Sequence, residues 1–140
     1  MVPGGDDKLE VKSDRPTLLV VEDEPLILMD LAEVLRGEGF TVIEAAGAEE
    51  AKGMFASGAP IDCVLSDLHM PRREDGLEWL NWLGREYPAL PIVVASGVPD
   101  ALGPANKEGA NIVAVFEKPY RPQAIVLAIR AWLSRSAASS

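Results

Sequence analysis

Five side chains that could handle a phosphoryl group or a cation stand at the ends of short apolar runs. Glu22 and Asp23 end the run TLLVVED, Asp67 ends IDCVLSD, Ser96 ends PIVVAS, and Lys118 follows NIVAVFE. Three carboxylates that lie close together repel each other, and a hard cation such as Mg²⁺ relieves that repulsion. A lysine ammonium and a serine hydroxyl add positive charge and a hydrogen-bond donor. The set fits stabilisation of a phosphoryl group that moves to an in-line carboxylate nucleophile.

Apolar runs and helical patterns alternate along the chain, and this alternation predicts the elements that position those side chains. Short, continuously apolar runs suit strands that are buried on both faces of a parallel sheet. Pro25 suits the first turn of a helix, and Gly37 and Gly39 end that helix. The predicted strands are residues 17–23, 40–46, 61–67, 91–96 and 111–117, and the predicted helices are residues 25–37, 48–56, 77–87 and 122–134.

The segment between the fourth and fifth strands, residues 97–111, holds Pro99, Gly103 and Pro104. Because proline removes a donor and clashes in helix interiors, we expect a short or irregular helix in a mobile segment. Five strand–helix units in this order predict an α/β fold, a doubly wound parallel sheet with helices on both faces. Ligands of such sheets bind outside the carboxyl ends of the strands, where the five side chains stand.

Apolar residues at helical spacing predict which side of each helix faces the sheet. These residues are Ile27, Leu31, Val34 and Leu35 on the first helix, and Leu77, Leu80 and Leu83 on the third. The single cysteine, Cys63, lies within an apolar strand, which predicts a buried core residue rather than a reactive thiol.

Composition and charge narrow the classes of function. The 140 residues fit one domain, which we place at residues 15–135 between flexible tails at 1–14 and 136–140. A net charge of −9 argues against a basic face for nucleic acid and against a polybasic membrane anchor. One cysteine allows no internal disulfide, and no apolar stretch reaches the roughly 20 residues of a membrane span. We therefore expect a cytoplasmic protein with no membrane partner and no nucleic-acid partner.

Four motifs, in order and each at a predicted strand end, resemble the receiver domains of two-component response regulators. They are LLVVEDEP at residues 18–25, VLSDLHMP at 64–71, VVASG at 93–97 and EKPY at 117–120. The resemblance covers about residues 17–134. It implies a flavodoxin-like sheet with the strand order 2-1-3-4-5.

The resemblance also implies a metal site for magnesium. Asp23 and Asp67 would coordinate Mg²⁺ directly, and Glu22 would act mainly through water. The backbone carbonyl of His69 would complete the protein's share of the metal shell. We also expect the His69 side chain to border the site and to affect access of the hydrolytic water.

The same resemblance assigns roles in phosphorylation. Asp67 would be the phosphoacceptor, Ser96 would donate a hydrogen bond to a phosphoryl oxygen, and Lys118 would pair with the aspartate or the phosphate. The Lys118–Pro119 peptide bond would be cis.

The chain departs from the family's pattern in ways that bear on switching. MPRREDG has one residue more than the usual MPxxDG, and Val115 stands where the family has its switch aromatic. Phe116 is adjacent but should point to the opposite face of the strand. Gly97 and the prolines after the fourth strand resemble a subgroup with a Phe-Ala-Thr-Gly-Tyr-like fourth strand, although VVASGV differs from that motif at several positions. These departures predict a nonstandard route of switching.

The resemblance implies a single-domain response regulator that accepts a phosphoryl group on Asp67 from a histidine kinase or a phosphotransfer protein. Because few residues follow the last helix, we expect output by protein–protein contact or phosphoryl shuttling. We expect no enzyme activity beyond Mg²⁺-dependent self-phosphorylation and autodephosphorylation. The alternatives are a receiver-like interaction module that is not phosphorylated and a receiver domain cut from a hybrid histidine kinase. An Asp-nucleophile phosphatase normally has a second aspartate where this chain has His69.

Two tryptophans of the third helix and the apolar last helix are candidates for contacts with another protein. The family pattern has leucine where Trp79 stands, which predicts a core position, whereas Trp82 fits the core and a partner surface equally. In the last helix Ile125, Ile129 and Trp132 suffice for one buried stripe, which leaves Val126 and Leu127 over. We therefore expect the face formed by the fourth helix, the fifth strand and the last helix to dock a partner or a second copy.

Overall fold

Five parallel strands form one sheet in the computed structural model, which describes residues 15–69, 72–97 and 109–139. The strands are β1 (Thr17–Val21), β2 (Thr41–Ala45), β3 (Cys63–Asp67), β4 (Pro91–Ser96) and β5 (Asn111–Glu117). Their order is β2-β1-β3-β4-β5, with every neighbouring pair parallel. The predicted fold class and strand order are confirmed.

Four helices cover the sheet in the described part of the chain. They are α1 (Pro25–Gly37), α2 (Ala48–Ala56), α3 (Arg73–Glu86) and α4 (Pro122–Ser139). The last predicted helix is therefore α4, and it continues beyond the predicted end at residue 134. The short helix predicted within 97–111 falls largely on residues outside the described ranges. No helix in those ranges combines the length and the apolar character needed to cross a lipid bilayer.

Successive side chains of the central strands point to opposite faces of the sheet, and the core therefore has two layers. One layer packs α1 and α4 against the sheet and includes Leu18, Val20, Leu35, Leu65, Val93, Ile125 and Ile129. The other packs α2 and α3 against the opposite face and includes Leu19, Val21, Ala51, Val64, Trp79, Leu83, Ile92 and Val94. Each fully buried aliphatic side chain contributes about 1.5–3 kcal/mol, so both faces stabilise the sheet. Cys63 is buried in the first layer, as predicted.

The prediction of which α1 residues face the sheet was wrong at the start of the helix. Ile27 is 42% exposed, and Leu28 is buried in its place together with Leu31, Ala32 and Leu35. Both sets of positions fit the helical repeat, and the packing of α1 on the sheet places position 28 within the buried stripe and position 27 at its edge.

The last helix differs from its prediction in a similar way. Val126 is 3% exposed and joins Ile125 and Ile129 in the core, so it is not left over for a partner. Leu127 is 68% exposed, as the prediction required. Trp132 is only partly buried, whereas Leu133 packs against the core.

The start of α3 also differs from its prediction, because the helix begins at Arg73 and not at residue 77. The Asp75 carboxylate accepts a hydrogen bond from the Arg72 main-chain N–H at 3.2 Å, which supports the first turn. Gly76 therefore lies inside the helix, and its backbone presses against the loop after β3. A Cβ atom at this position would overlap the carbonyl oxygen of Leu68.

We expect Gly76→Ala to destabilise the fold by at least about 2 kcal/mol, because either α3 or the Leu68 carbonyl must move. Gly53→Ala in α2 is the matched control, since a Cβ there meets nothing within 4 Å. The control should keep or raise stability by up to about 1 kcal/mol. Urea unfolding followed by circular dichroism measures both, and equal midpoints for the two variants would contradict the close contact at Gly76.

Candidate functional site

The carboxyl ends of β1 and β3 bring three carboxylates together. Val21 pairs with Ser66, so the next residues of the two strands, Glu22 and Asp67, lie side by side. Glu22 is 3% exposed and Asp67 is 7% exposed, whereas Asp23 is exposed to solvent. One carboxylate oxygen from each of the three lies within 4.8 Å of the others. We call these three residues the acidic cluster.

Lys118 places its ammonium against the two buried carboxylates. Its Nζ atom lies 3.2 Å from Oδ2 of Asp67 and 3.7 Å from Oε1 of Glu22. The Lys118 main-chain N–H donates to the carbonyl of Ser96 at 2.7 Å, which fixes the lysine at the end of β5. The Lys118–Pro119 peptide bond is cis, as the resemblance implied.

Main-chain donors hold the other oxygen of each buried carboxylate. The N–H of Glu24 donates to Oε2 of Glu22 at 3.0 Å. The N–H of His69 donates to Oδ1 of Asp67 at 3.2 Å. Each carboxylate is thus held between one amide and the lysine, which fixes the direction in which its oxygens point.

The site carries more negative than positive charge. Burial raises the pKa of Glu22, and the negative charges of Asp67 and Asp23 raise it further, while the Glu24 N–H and Lys118 act in the opposite direction. Burial, with the charges of Glu22 and Asp67, also raises the pKa of Tyr120 to about 12. One ammonium among three carboxylates leaves room for a divalent cation, and an all-oxygen donor set with one solvent-exposed member fits Mg²⁺.

The structure brings together most of the residues that the sequence predicted. Glu22, Asp23, Asp67 and Lys118 share one crevice. Ser96 ends β4, one residue beyond the Asp67↔Ala95 pair, and is 2% exposed. The predicted role of its hydroxyl stays a prediction, as does the role of the His69 carbonyl in metal binding.

Three contributors were not predicted from the sequence. The N–H groups of Glu24 and His69 have no side-chain signature, because any residue except proline offers such a donor. Tyr120 stands two residues after Lys118 in the motif EKPY. Its place in the site was not predicted, because a tyrosine after a lysine indicates no particular role until the fold is known. It lines a groove with Ile27, Leu31 and Lys118.

Comparison with known proteins identifies the class. The family of response regulator receiver domains matches residues 18–130, and the chain belongs to this family. It is a receiver domain of the two-component response regulator type. Receiver domains are phosphorylated by kinases and bind Mg²⁺ at an acidic pocket. In this chain, Glu22, Asp23 and Asp67 form an acidic cluster.

Individual relatives cover the domain but extend beyond it. The transcriptional regulatory protein PdtaR of Mycobacterium tuberculosis is 35% identical over 119 residues, which are 84% of this chain and 57% of PdtaR. The sensor kinase CckA of Brucella abortus is 29% identical over 88% of this chain and 13% of its own length. The chain therefore spans little more than half of PdtaR and a small part of CckA.

A solved structure supports the same fold. The signal receiver domain of an HD domain-containing protein from Pseudomonas fluorescens superposes with a TM-score of 0.78 at 29% identity. The match covers 89% of this chain and 98% of that one.

We expect Glu22→Gln to be more stable than the wild type at neutral pH without divalent cations. The amide removes a charge that burial and two neighbouring carboxylates disfavour. Lys118 keeps Asp67 as its partner in this variant.

The sign of the pH dependence follows from the raised pKa. The folded wild type binds the Glu22 proton more tightly than the unfolded chain, so it loses stability as pH rises through the folded pKa. The advantage of Glu22→Gln should therefore shrink as pH falls through the raised folded pKa, and it should be gone below the ordinary glutamate pKa, about 4.3. Thermal unfolding across this pH range measures the advantage as a shift of a few degrees in Tm. Glu33→Gln changes an exposed glutamate on α1 and is the control, and its Tm should stay close to that of the wild type.

Proposed function

We propose that the Asp67 carboxylate accepts a phosphoryl group from a histidine kinase or a phosphotransfer protein, and that the chain acts as a response regulator. The observation that carries this proposal is the placement of Asp67, 3.2 Å from the Lys118 ammonium and within 4.8 Å of two further carboxylates. In the transfer, an Asp67 oxygen forms a bond to phosphorus while the bond from phosphorus to the donor's histidine nitrogen breaks.

Mg²⁺ is the cofactor that this donor set fits. Asp23, Asp67 and the His69 carbonyl would hold it, with Glu22 acting through water. When bound, the ion neutralises charge on the phosphoryl oxygens. Lys118 provides a second positive charge at the same crevice, and we assign Ser96 the role of hydrogen-bond donor to a phosphoryl oxygen.

A phosphorylated Asp67 would carry more negative charge in a site that is already acidic. Such a change can shift an existing equilibrium between conformations. We propose output by protein–protein contact or by passing the phosphoryl group on, in the cytoplasm. PdtaR is named a transcriptional regulator, and this chain spans 57% of it. We therefore limit the expectation of no nucleic-acid contact to the receiver domain. The reason for it is the net charge of −9 on this chain.

Two other functions use the same fold. A receiver-like interaction module would bind partners without phosphorylation, and the intact acidic cluster with its lysine favours phosphorylation instead. A receiver domain within a hybrid kinase would use the same chemistry, and the match to CckA, a sensor kinase, is consistent with that arrangement.

We expect Asp67→Asn to abolish phosphorylation by a ³²P-labelled histidine kinase. An amide lacks the anionic oxygen that attacks phosphorus, so transfer should fall by at least about a hundredfold. The measurement is the label retained on this chain in the presence of Mg²⁺. Asp62→Asn is the matched control, because Asp62 lies just before β3 at the opposite end of that strand from Asp67.

The control should be labelled like the wild type. Label on Asp67→Asn equal to that on the wild type would show that another residue accepts the phosphoryl group. Absence of label on the wild type with every kinase of the organism would favour the interaction module.

A docking face for a second copy or a partner belongs to the same proposal. Val115 on the edge strand β5 is 47% exposed and Leu127 on α4 is 68% exposed. A contiguous patch of exposed aliphatic side chains is typical of a surface that another protein covers, and we propose that Val115 and Leu127 belong to such a patch.

We expect Leu127→Glu to weaken self-association or partner binding by about tenfold or more, because a charge would be desolvated in the contact. Sedimentation velocity with and without a phosphoryl mimic measures self-association. Leu26→Glu is the control, since Leu26 is a similarly exposed leucine, 73% exposed, on α1. Identical sedimentation and kinase binding for the wild type and both variants would count against the face on β5 and α4.

A further inference from the structure

A buried polar pair lies directly behind the proposed phosphoacceptor. Trp79 on α3 is 1% exposed, and its Nε1–H donates to Oγ of Ser66 at 3.1 Å. Ser66 is also 1% exposed, and its hydroxyl donates to the main-chain carbonyl of Asp67 at 2.9 Å. The Ser66 hydroxyl thus connects the helix to the residue that carries the reactive carboxylate.

A second contact from the same helix reaches the other neighbour of Asp67. Gly76, one turn before Trp79, packs so closely on the carbonyl of Leu68 that a Cβ atom would not fit. The helix therefore touches β3 and its end at positions 66 and 68, on both sides of Asp67. The carboxylate itself is held by the His69 N–H and Lys118.

The chemistry of this pair is unusual for its surroundings. Ser66 and Trp79 face a layer formed by aliphatic residues such as Val64, Leu80 and Val94. Apolar residues at both positions would fill such a layer, and they would not risk an unpaired buried donor. The structure instead keeps a directional contact that fixes the Asp67 main chain.

We infer that Trp79 and Ser66 are positioning residues for phosphorylation of Asp67. The inference rests on the proposed function, because it concerns how Asp67 is oriented for the transfer. An attacking oxygen must lie in line with the bond that breaks, and small displacements of a nucleophile slow such reactions strongly. By holding the Asp67 carbonyl, the Ser66 hydroxyl limits rotation of the main chain from which the carboxylate extends.

The tryptophan also connects the site to an aromatic layer at the surface. Trp79 stacks on Trp82 with ring centroids 5.6 Å apart, and Phe55 stacks on Tyr87 at 4.5 Å. Phe55 contacts both tryptophans, and Tyr87 is 38% exposed. A displacement of Asp67 should therefore be visible in the fluorescence of Trp79.

The test compares Ser66→Ala, Trp79→Phe and the double variant with the wild type. Two quantities are measured: the rate constant of Asp67 phosphorylation at saturating acetyl phosphate with Mg²⁺, and the stability to urea. Each single variant should slow phosphorylation by about three- to tenfold. The double variant should regain part of the stability lost in Ser66→Ala, because no Trp79 Nε1–H is left without its acceptor, while its phosphorylation stays slow.

Trp82→Phe is the matched control. It changes a tryptophan of the same helix and the same aromatic layer, and the contacts of its ring are to Phe55, Trp79, Tyr87 and Lys52. Its phosphorylation rate should stay within about twofold of the wild type.

A spectroscopic measurement separates positioning from stability. Since the chain has three tryptophans, replacing Trp82 and Trp132 by phenylalanine leaves Trp79 as the single tryptophan, whose emission can be excited selectively. Beryllium fluoride with Mg²⁺ should change this emission, and Ser66→Ala in the same background should reduce the change by about half or more.

The outcomes are distinct. A double variant that regains the wild-type rate along with its stability would overturn the inference and leave a purely structural pair. Single variants with the wild-type rate, or a beryllium fluoride response that Ser66→Ala does not alter, would overturn it as well. Wild-type protein that acetyl phosphate and kinases both fail to label on Asp67 would overturn the proposed function, and the inference with it.

Discussion

The ion pair between Lys118 and Asp67 is the interaction on which the organisation of the site depends. Two carboxylates buried at the ends of neighbouring strands would be strongly unfavourable if nothing compensated them. The lysine lies within 4.0 Å of both, and two main-chain N–H groups hold the remaining oxygens. Burial and the neighbouring carboxylates still raise the pKa of Glu22, which is the direction expected where compensation is incomplete. An acidic site whose negative charge is not fully compensated favours binding of a cation. It also favours other positive groups that could contact a phosphoryl group.

The sheet topology makes this pairing possible. β1 and β3 are direct neighbours, so Glu22 and Asp67 meet although 45 residues separate them in the chain. β4 carries Ser96 next to β3, and the Lys118 N–H returns to the Ser96 carbonyl. A long lysine side chain at the end of β5 then reaches across β4 to the carboxylates. The apolar layers on both faces hold the strand ends in register, so the core supports the site directly.

Much of this arrangement could be predicted from the sequence, because apolar runs and abrupt polar ends are local signals. The gathering of Glu22, Asp23, Asp67 and Lys118 was predicted from the ends of parallel strands, and the strand order and the cis peptide bond were predicted through the resemblance. Details that depend on packing between distant elements could not be predicted. Leu28 replaces Ile27 on the inward face of α1, and Gly76 falls inside α3, because the contact of each helix with the sheet decides these positions. The Ser66–Trp79 hydrogen bond likewise joins two elements whose spacing only the fold defines.

The structure bears on how the chain could switch with Val115 in place of the family's switch aromatic. Val115 is 47% exposed and carries no ring that could rotate, and the neighbouring Phe116 packs against the layer of α1 and α4. Moving Phe116 outward would expose more of a partly buried aromatic side chain to water, which is unfavourable. A conformational response to the proposed phosphorylation of Asp67 would instead have the contacts that touch the Asp67 main chain as a path. The described residues offer such contacts on α3, where Trp79 and Gly76 meet the two neighbours of Asp67.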